Sequence, residues 1–301
     1  MTLPPLTAPP TSKHRLRLPR DRQLTISGDP PLVMGVVNLT PDSFSDGGRW
    51  NQTETAVERA LTLFEQGADL VDLGAESTRP GGGVYGGGAR EIAADEEIER
   101  LLPVLEQLRS RTDRPISIDT RKARVADLAL RAGADLINDV SALGELDLGL
   151  SVAEAGCPVV LMHSRGEISS MQRGIDFHDV VTEVRQELQT AVDRGIACGI
   201  PRSQILVDPG IGFGKTSAQN AVLLGALDEL QTVAPVLVGA SRKSFIGDLS
   251  GAAVDERLPG SLAAVAWAAQ SGAAVVRVHD VEETVQFLKV WREIAHSGGA
   301  R

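Results

Sequence analysis

The chain has 301 residues, 42% of them hydrophobic and 23% charged, with 31 glycines against ten aromatic residues, a balance that excludes disordered, collagen-like and disulfide-scaffold proteins. A net charge of -10 opposes non-specific attraction to nucleic acid or to an anionic membrane surface, so neither is expected as a partner. Length alone suggests two domains at roughly 150 residues each, but α/β barrels of about 250 residues are single units, so topology decides.

Residues 1–12 read as a disordered Pro-rich tail: seven of the first 31 residues are Pro, and little apolar surface is there to offset the entropy of ordering. The tail lacks the continuous apolar stretch of a secretory signal, so no export is expected. Residues 13–301 read as one domain. Its first feature is the alternation RLRL, then PRDR, then QLTI from Arg15 to Ile26, which predicts a short hairpin. One pattern then recurs. Apolar runs end in a polar residue and lead into a helical stretch: LVMGVVN to Asn38, ADLVD to Asp72, PISID to Asp119, ADLIN to Asn138, PVVLMH to His163, QILVD to Asp208, PVLVGAS to Ser241 and AAVVRVH to His279.

Continuous rather than alternating apolar runs mark strands covered on both faces. The helical stretches are Thr53 to Gln66, Glu91 to Leu108, Lys122 to Ala132, Leu146 to Ala155, Phe177 to Arg194, Ser217 to Gln231, Gly260 to Gln270 and Val281 to Ile294, the fourth having the weakest pattern. Eight such units predict an α/β fold, a single (β/α)8 TIM barrel with an N-terminal hairpin extension. A doubly wound sheet would not need eight strands and normally carries GxGxxG after its first strand, which is absent here. The uncharged run from Leu258 to Val276 contains Pro259, two Gly, two Ser and Gln270, and reads as a packed helix followed by a strand, not a membrane span. Cys157 and Cys198 stand 41 residues apart with no CxxC, so neither a zinc site nor a disulfide framework is signalled, and a reducing, cytoplasmic compartment is the default.

In such a barrel the active site lies at the C-terminal ends of the strands. Those ends carry Asn38, Asp72, Asp119, Asn138, His163, Asp208, Ser241 with Lys243, and Arg277 with His279. Any one Asp or Asn among them could equally cap a helix, and His163 reads as structural. As a set converging on one mouth, they predict a ligand site, because isolated polar groups there would be costly to bury. Arg79, Lys243, Arg277 and His279 form a cationic island in an acidic protein and predict a phosphate-bearing ligand. Asp119, Asn138 and Asp208 suit a flat heterocycle with adjacent N–H donors. The GKT that ends DPGIGFGKT is not read as a P-loop, since the Walker spacing needs Gly where Pro209 stands.

The motifs MGVVNLTPDSFSDGG (Met34 to Gly48), DLGAESTRPG, SIDT, INDVSA, DPGIGFGKT, GASRKSFIG and RVHD together resemble dihydropteroate synthase, the folate-pathway target of sulfonamides, from about Leu32 to the last helix. The resemblance implies a (β/α)8 barrel that joins 6-hydroxymethyl-7,8-dihydropterin diphosphate to p-aminobenzoate and releases pyrophosphate. It implies that Asp119, Asn138, Asp208 and Lys243 hold the pterin, with Asp72 in the same pocket, and that Asn38 ligates a Mg²⁺ bridging the diphosphate. Arg277, His279 and Arg79 would take the phosphate oxygens; Thr78, Pro80, Phe44 and Phe213 would surround the p-aminobenzoate ring, with Ser244 near its carboxylate at a helix start. The loop with Asp42, Phe44 and Asp46 and the loop with Arg79 and Pro80 would close over the mouth. A homodimer is implied as well.

Two departures from the family pattern stand out. GGGVYGGGAREIAADEE, from Gly81, is longer and richer in Gly than the usual connection, and in LMHSRG Ser164 and Arg165 replace the more usual Met and Gln. Two other readings compete: a pterin-dependent methyltransferase acting with a corrinoid partner, which leaves the Arg79, Arg277 and His279 cluster without a reason, and a non-catalytic pterin-binding relative. On the leading reading, Asp119→Asn and Arg277→Ala each cost at least tenfold in turnover while leaving thermal stability nearly unchanged.

Overall fold

Apolar runs without alternation form strands only where both faces are covered, and this chain meets that need by following its strands with helices. The computed structural model describes residues 13–40, 49–77, 91–166, 171 and 174–298; the tail at 1–12 lies outside them. Strands β1 (His14–Leu18) and β2 (Arg22–Ile26) pair antiparallel as the expected hairpin. Eight parallel strands follow: β3 (Leu32–Asn38), β4 (Leu70–Gly74), β5 (Ile116–Asp119), β6 (Leu136–Asp139), β7 (Val159–Met162), β8 (Ile205–Asp208), β9 (Leu237–Val238) and β10 (Val275–Val278). Their order is β8-β7-β6-β5-β4-β3-β10-β9. A parallel bridge between Val207 and Val236, with the Val207 N–H donating to the Pro235 carbonyl at 3.0 Å, brings the two end strands together. The result is a nearly closed (β/α)8 TIM barrel with an N-terminal hairpin, as the repeating units predict.

The helices are α1 (Arg49–Glu65), α2 (Ala94–Arg111), α3 (Ala123–Ala132), α4 (Leu146–Ala155), α5 (Val180–Ala197), α6 (Ser217–Gly225), α7 (Leu227–Gln231), α8 (Ser244–Ser250), α9 (Leu258–Gln270) and α10 (Val281–Gly298). They bury one apolar stripe each against the barrel's outer face: Leu101, Val104, Leu105 and Leu108 of α2 and Val184, Leu188 and Val192 of α5 belong to one core with Val71, Ile118 and Val207 of the strands. Gly133, at φ 113°, closes α3 in the left-handed conformation that lets the chain turn back into β6.

Two elements differ from the sequence expectation. The sixth helical stretch is two helices, because Ala226 at φ -121°, ψ 27° leaves the helical region after Gly225. The run from Pro235 to Ser241 keeps only Leu237 and Val238 in the ladder. Beyond them the chain turns through Arg242 at φ 58°, whose N–H donates to Ser261 Oγ at 3.0 Å. The uncharged run at Leu258 is indeed a helix followed by a strand, and among the described residues no helix is long and apolar enough to cross a membrane.

The two ends of the barrel are built differently. At the N-terminal ends of the strands, Leu16 and Ile26 of the hairpin pack with Met34, Leu70, Leu136, Val160, Leu206 and Leu237 and form an apolar floor. Gln204 extends β1 with side-chain bonds that imitate a ladder, donating to Arg17 O at 2.6 Å and accepting from Arg17 N at 2.9 Å. Asp135, fully buried, accepts from Arg20 and Arg22 of the hairpin, from Arg109 at 2.6 Å and from Ile116 N at 2.9 Å. The opposite end carries the polar strand termini.

Candidate active site

Register aligns the strand ends. Asn38 lies opposite Gly74, Gly74 opposite Asp119 and Asp119 opposite Asn138. Asp72, two residues before Gly74, shares its face one step deeper. Asp72 is fully buried, and such a carboxylate is tolerable only beside a cation. Arg277 supplies it from β10, next to β3 in the ring: Nε donates to Asp72 Oδ2 at 2.6 Å and Nη2 to Asp119 Oδ2 at 3.0 Å. Asn138 Nδ2 donates to the same Asp72 oxygen at 3.1 Å, which leaves Oδ1 buried without a partner. Arg277 therefore stands between carboxylates, so the cations expected as an island are interleaved with the acidic groups. Burial drives the Asp119 carboxyl up to about 7; Arg277 pulls it down, but the nearby Asp72 charge pushes it up again.

A second group joins from β8 and the end of β9. Asp208 accepts from Gly210 N at 2.7 Å, and burial holds its carboxyl above the usual range although Lys243 opposes. The Lys243 ammonium is pushed down to about 8 by burial, against the pull of Asp208; it donates to Ile211 O and lies 4.7 Å from the centroid of the Phe213 ring. Phe213 also packs with Val140, Met162 and Met171, so it is both wall and core. Gly239 links the two groups: a Cβ there would meet Asp208 Oδ2 at 3.6 Å and Lys243 Nζ and Arg277 Cβ at 3.9 Å. Ser241 Oγ lies 3.1 Å from His279 Nδ1 and accepts from His279 N at 3.2 Å. Ser244 opens α8 directly after Lys243, and Asn38 is half-buried at the end of β3.

Asp72, Asp119, Asn138, Asp208, Phe213, Lys243 and Arg277 thus meet at one mouth, with His279, Ser244 and Asn38 on its strand ends and following turns. Phe44, Asp46, Thr78, Arg79 and Pro80, like the Gly-rich connection from Gly81 to Arg90, lie outside the described residues. One residue escaped the sequence reading. Lys215, left without a role once the P-loop is rejected, is 3% exposed and turned inward, where its ammonium meets His163 Nδ1 at 2.8 Å. The signal was present: a lysine directly after a Gly-rich turn is either aimed at phosphate or folded under the turn.

Residues 34–279 match the pterin-binding enzyme family. A dihydropteroate synthase of Synechocystis sp. is 44% identical over 282 residues, covering 91% of this chain and 95% of the relative. A Xanthomonas albilineans dihydropteroate synthase solved with 4-aminobenzoic acid superposes at a TM-score of 0.85 with 44% identity, covering 94% of this chain and 98% of that one. The same organism's enzyme in complex with 7,8-dihydropteroate gives 0.81 at 41% identity, covering 93% and 98%. With the motifs, the barrel and the mouth in agreement, the chain belongs to the pterin-binding enzymes, as one of the dihydropteroate synthases.

Proposed function

We propose that the chain condenses 6-hydroxymethyl-7,8-dihydropterin diphosphate with p-aminobenzoate to give 7,8-dihydropteroate and pyrophosphate. The observation that carries this is the single mouth at which Asp119, Asn138, Asp208, Lys243 and Arg277 meet around Asp72 and Gly239. Asp119, Asn138 and Asp208 accept and donate along the edge of the pterin, and Lys243 donates to it. Arg277 and His279, with Arg79, take the diphosphate oxygens. The ring of p-aminobenzoate sits against Phe213, with Ser244 meeting its carboxylate; the family resemblance gives Phe44, Thr78 and Pro80 to the same ring and Asp46 to a closing loop.

A divalent cation carried by a diphosphate needs few protein donors, since phosphate oxygens and water complete its shell. The residues fit that case: Asn38 offers one amide oxygen at a strand end, and among the described residues no group of three His, Cys, Asp or Glu could hold a metal alone. Asn38 would hold Mg²⁺, which when bound neutralises charge on the leaving diphosphate. In the reaction the bond between the pterin methylene carbon and the diphosphate oxygen breaks, and the electron pair leaves with pyrophosphate. Arg277, His279 and Arg79 stabilise that developing charge. The neutral aniline nitrogen attacks the methylene carbon and loses a proton, needing little activation. Alignment of the two substrates alone removes about 7–11 kcal/mol of barrier, so no covalent nucleophile is required.

We extend the proposal to a cytoplasmic homodimer. Both cysteines are unpaired, and Leu249, Val254, Val290 and Ile294 leave apolar surface exposed. Purified protein given both substrates and Mg²⁺ is expected to release pyrophosphate only while p-aminobenzoate is present, with matching formation of dihydropteroate. Pterin binding without product, or methyl transfer to a corrinoid partner, overturns the reading.

A further inference from the structure

Beneath the turn that follows β8 lies a buried chain of polar groups that the reaction itself does not use. The Lys215 ammonium has three N–H donors and three acceptors around it: His163 Nδ1 at 2.8 Å, Gly210 O at 3.1 Å and Phe213 O at 2.9 Å. Burial pulls the Lys215 ammonium down to about 7, against the pull of Asp208; in its charged form it only donates, and the His163 it meets then presents a bare Nδ1. Burial pushes this imidazole down to about 4, leaving a neutral ring with one proton, on Nε2. From there it is donated to Glu187 Oε2 at 2.9 Å. The Glu187 carboxylate is held in turn by Arg165, which also donates to Glu183 at 2.9 Å and covers the Phe177 ring with its guanidinium carbon 3.8 Å from the centroid.

The turn lies flat on the segment this chain secures. A Cβ on Gly210 would fall 1.8 Å from His163 O, and one on Gly214 2.6 Å from Arg165 O. Its upper side faces the site: Gly210 N reaches Asp208, Ile211 O holds Lys243, and the Phe213 ring faces the Lys243 ammonium. A further bond from outside steadies it, from Gly212 N to Asn220 Oδ1 at 2.8 Å.

We infer that Lys215, with His163 and Glu187 behind it, is a positioning residue that fixes the Gly210–Gly214 turn and through it the Phe213 wall of the p-aminobenzoate pocket. Lys215 touches no substrate. Asp72, Asn138, Asp119 and Arg277 stand on other strands, whereas of the pterin-holding residues only Asp208 and Lys243 touch the turn, so pterin binding is expected to weaken less than p-aminobenzoate binding when the support goes. This rests on the proposed function for the identity of the second substrate, but the position of the Phe213 ring can be read without any substrate.

The test uses the full chain and two variants. Lys215→Met removes all three donors. Glu187→Ala, at a side chain 44% exposed, removes the acceptor of the His163 proton together with one of the two carboxylates that Arg165 meets, and so frees the tautomer without opening the core. For Lys215→Met, the KM for p-aminobenzoate is expected to rise at least tenfold while the calorimetric Kd for the pterin moves less than threefold; for Glu187→Ala, the KM rises about threefold with the same pterin Kd. In unliganded protein labelled at phenylalanine, the Phe213 ring signal is expected to shift or split in both variants. If wild-type protein turns over and both variants keep its KM for p-aminobenzoate, or if KM and pterin Kd worsen by the same factor, the inference fails. Should wild-type protein make no product, the proposed function fails instead, and an unmoved Phe213 signal in Glu187→Ala then overturns the inference independently. A Lys215→Met chain that does not fold leaves the decision to Glu187→Ala.

Discussion

Asp119 is the side chain whose charge state the site controls most closely. With its carboxyl raised to about 7 by burial, the unliganded protein at lower pH holds a proton there, and a pterin presenting N–H donors must displace it. Pterin affinity is therefore expected to climb with pH, by up to about tenfold per pH unit, and to level off above about 7. Asp119→Asn should abolish that limb and cost at least tenfold in turnover; calorimetry across pH 5.5–8.5 checks the first (roughly the range on either side of neutrality where the carboxyl titrates). Arg277 has a different expectation from the one its sequence position suggests. Because it bridges Asp72 and Asp119, Arg277→Ala strands two buried carboxylates, and stability should fall by about 3–5 kcal/mol along with turnover. Urea unfolding decides it; an unchanged midpoint would mean that the carboxylates take up protons at no cost. That pairing was not legible in the chain. A polar residue closing an apolar run announces a strand end, but nothing local tells Arg277 that its partner lies 205 positions away.

At the scale of elements, local signals sufficed wherever local forces set the boundary. Helix α4 spans Leu146–Ala155, as its faint periodicity predicts, because Gly156 ends it within the sequence's own reach. The short β9 and the break at Ala226 were not visible. The ladder beyond Val238 is ended by Ser261 Oγ on Arg242 N and by Arg257 on Arg242 O, contacts made across a turn and a helix. The turn after β8 shows the same dependence on a neighbour, and a pair of substitutions separates backbone strain from collision. Gly156→Ala meets nothing within 4 Å, so it carries only the left-handed penalty of about 1–2 kcal/mol. Gly210→Ala carries that penalty at φ 66° and in addition drives a methyl into His163 O, so its loss should exceed that of Gly156→Ala by at least about 1–3 kcal/mol. Thermal unfolding of the two side by side is the measurement; equal losses would show that the segment after β7 yields.

Across the whole molecule, the barrel separates chemistry from stability by its length. Eight strand-and-helix units were countable in the sequence, and the mouth followed from the rule that such barrels act at their C-terminal face. The floor did not follow. The alternation from Arg15 to Ile26 predicts a hairpin but not what it covers, since Leu16 finds Leu70, Leu136 and Leu206 only after the ring has closed. Leu16 is fully buried there, and truncating a side chain of that kind costs about 2–5 kcal/mol with the void it leaves. Leu16→Ala should accordingly lower the unfolding midpoint while kcat and both KM values stay within about twofold, because Leu16 packs in the apolar cluster at the N-terminal ends of the strands and the polar groups of the mouth stand at the opposite ends. Asp135 gives the same experiment in polar form: with Arg20, Arg22 and Arg109 around it, Asp135→Asn should destabilise the hairpin's attachment without moving the pH limb assigned to Asp119. A shift of that limb would show that the charge at the floor is felt along the barrel axis, and the two ends would then have to be treated as one electrostatic unit.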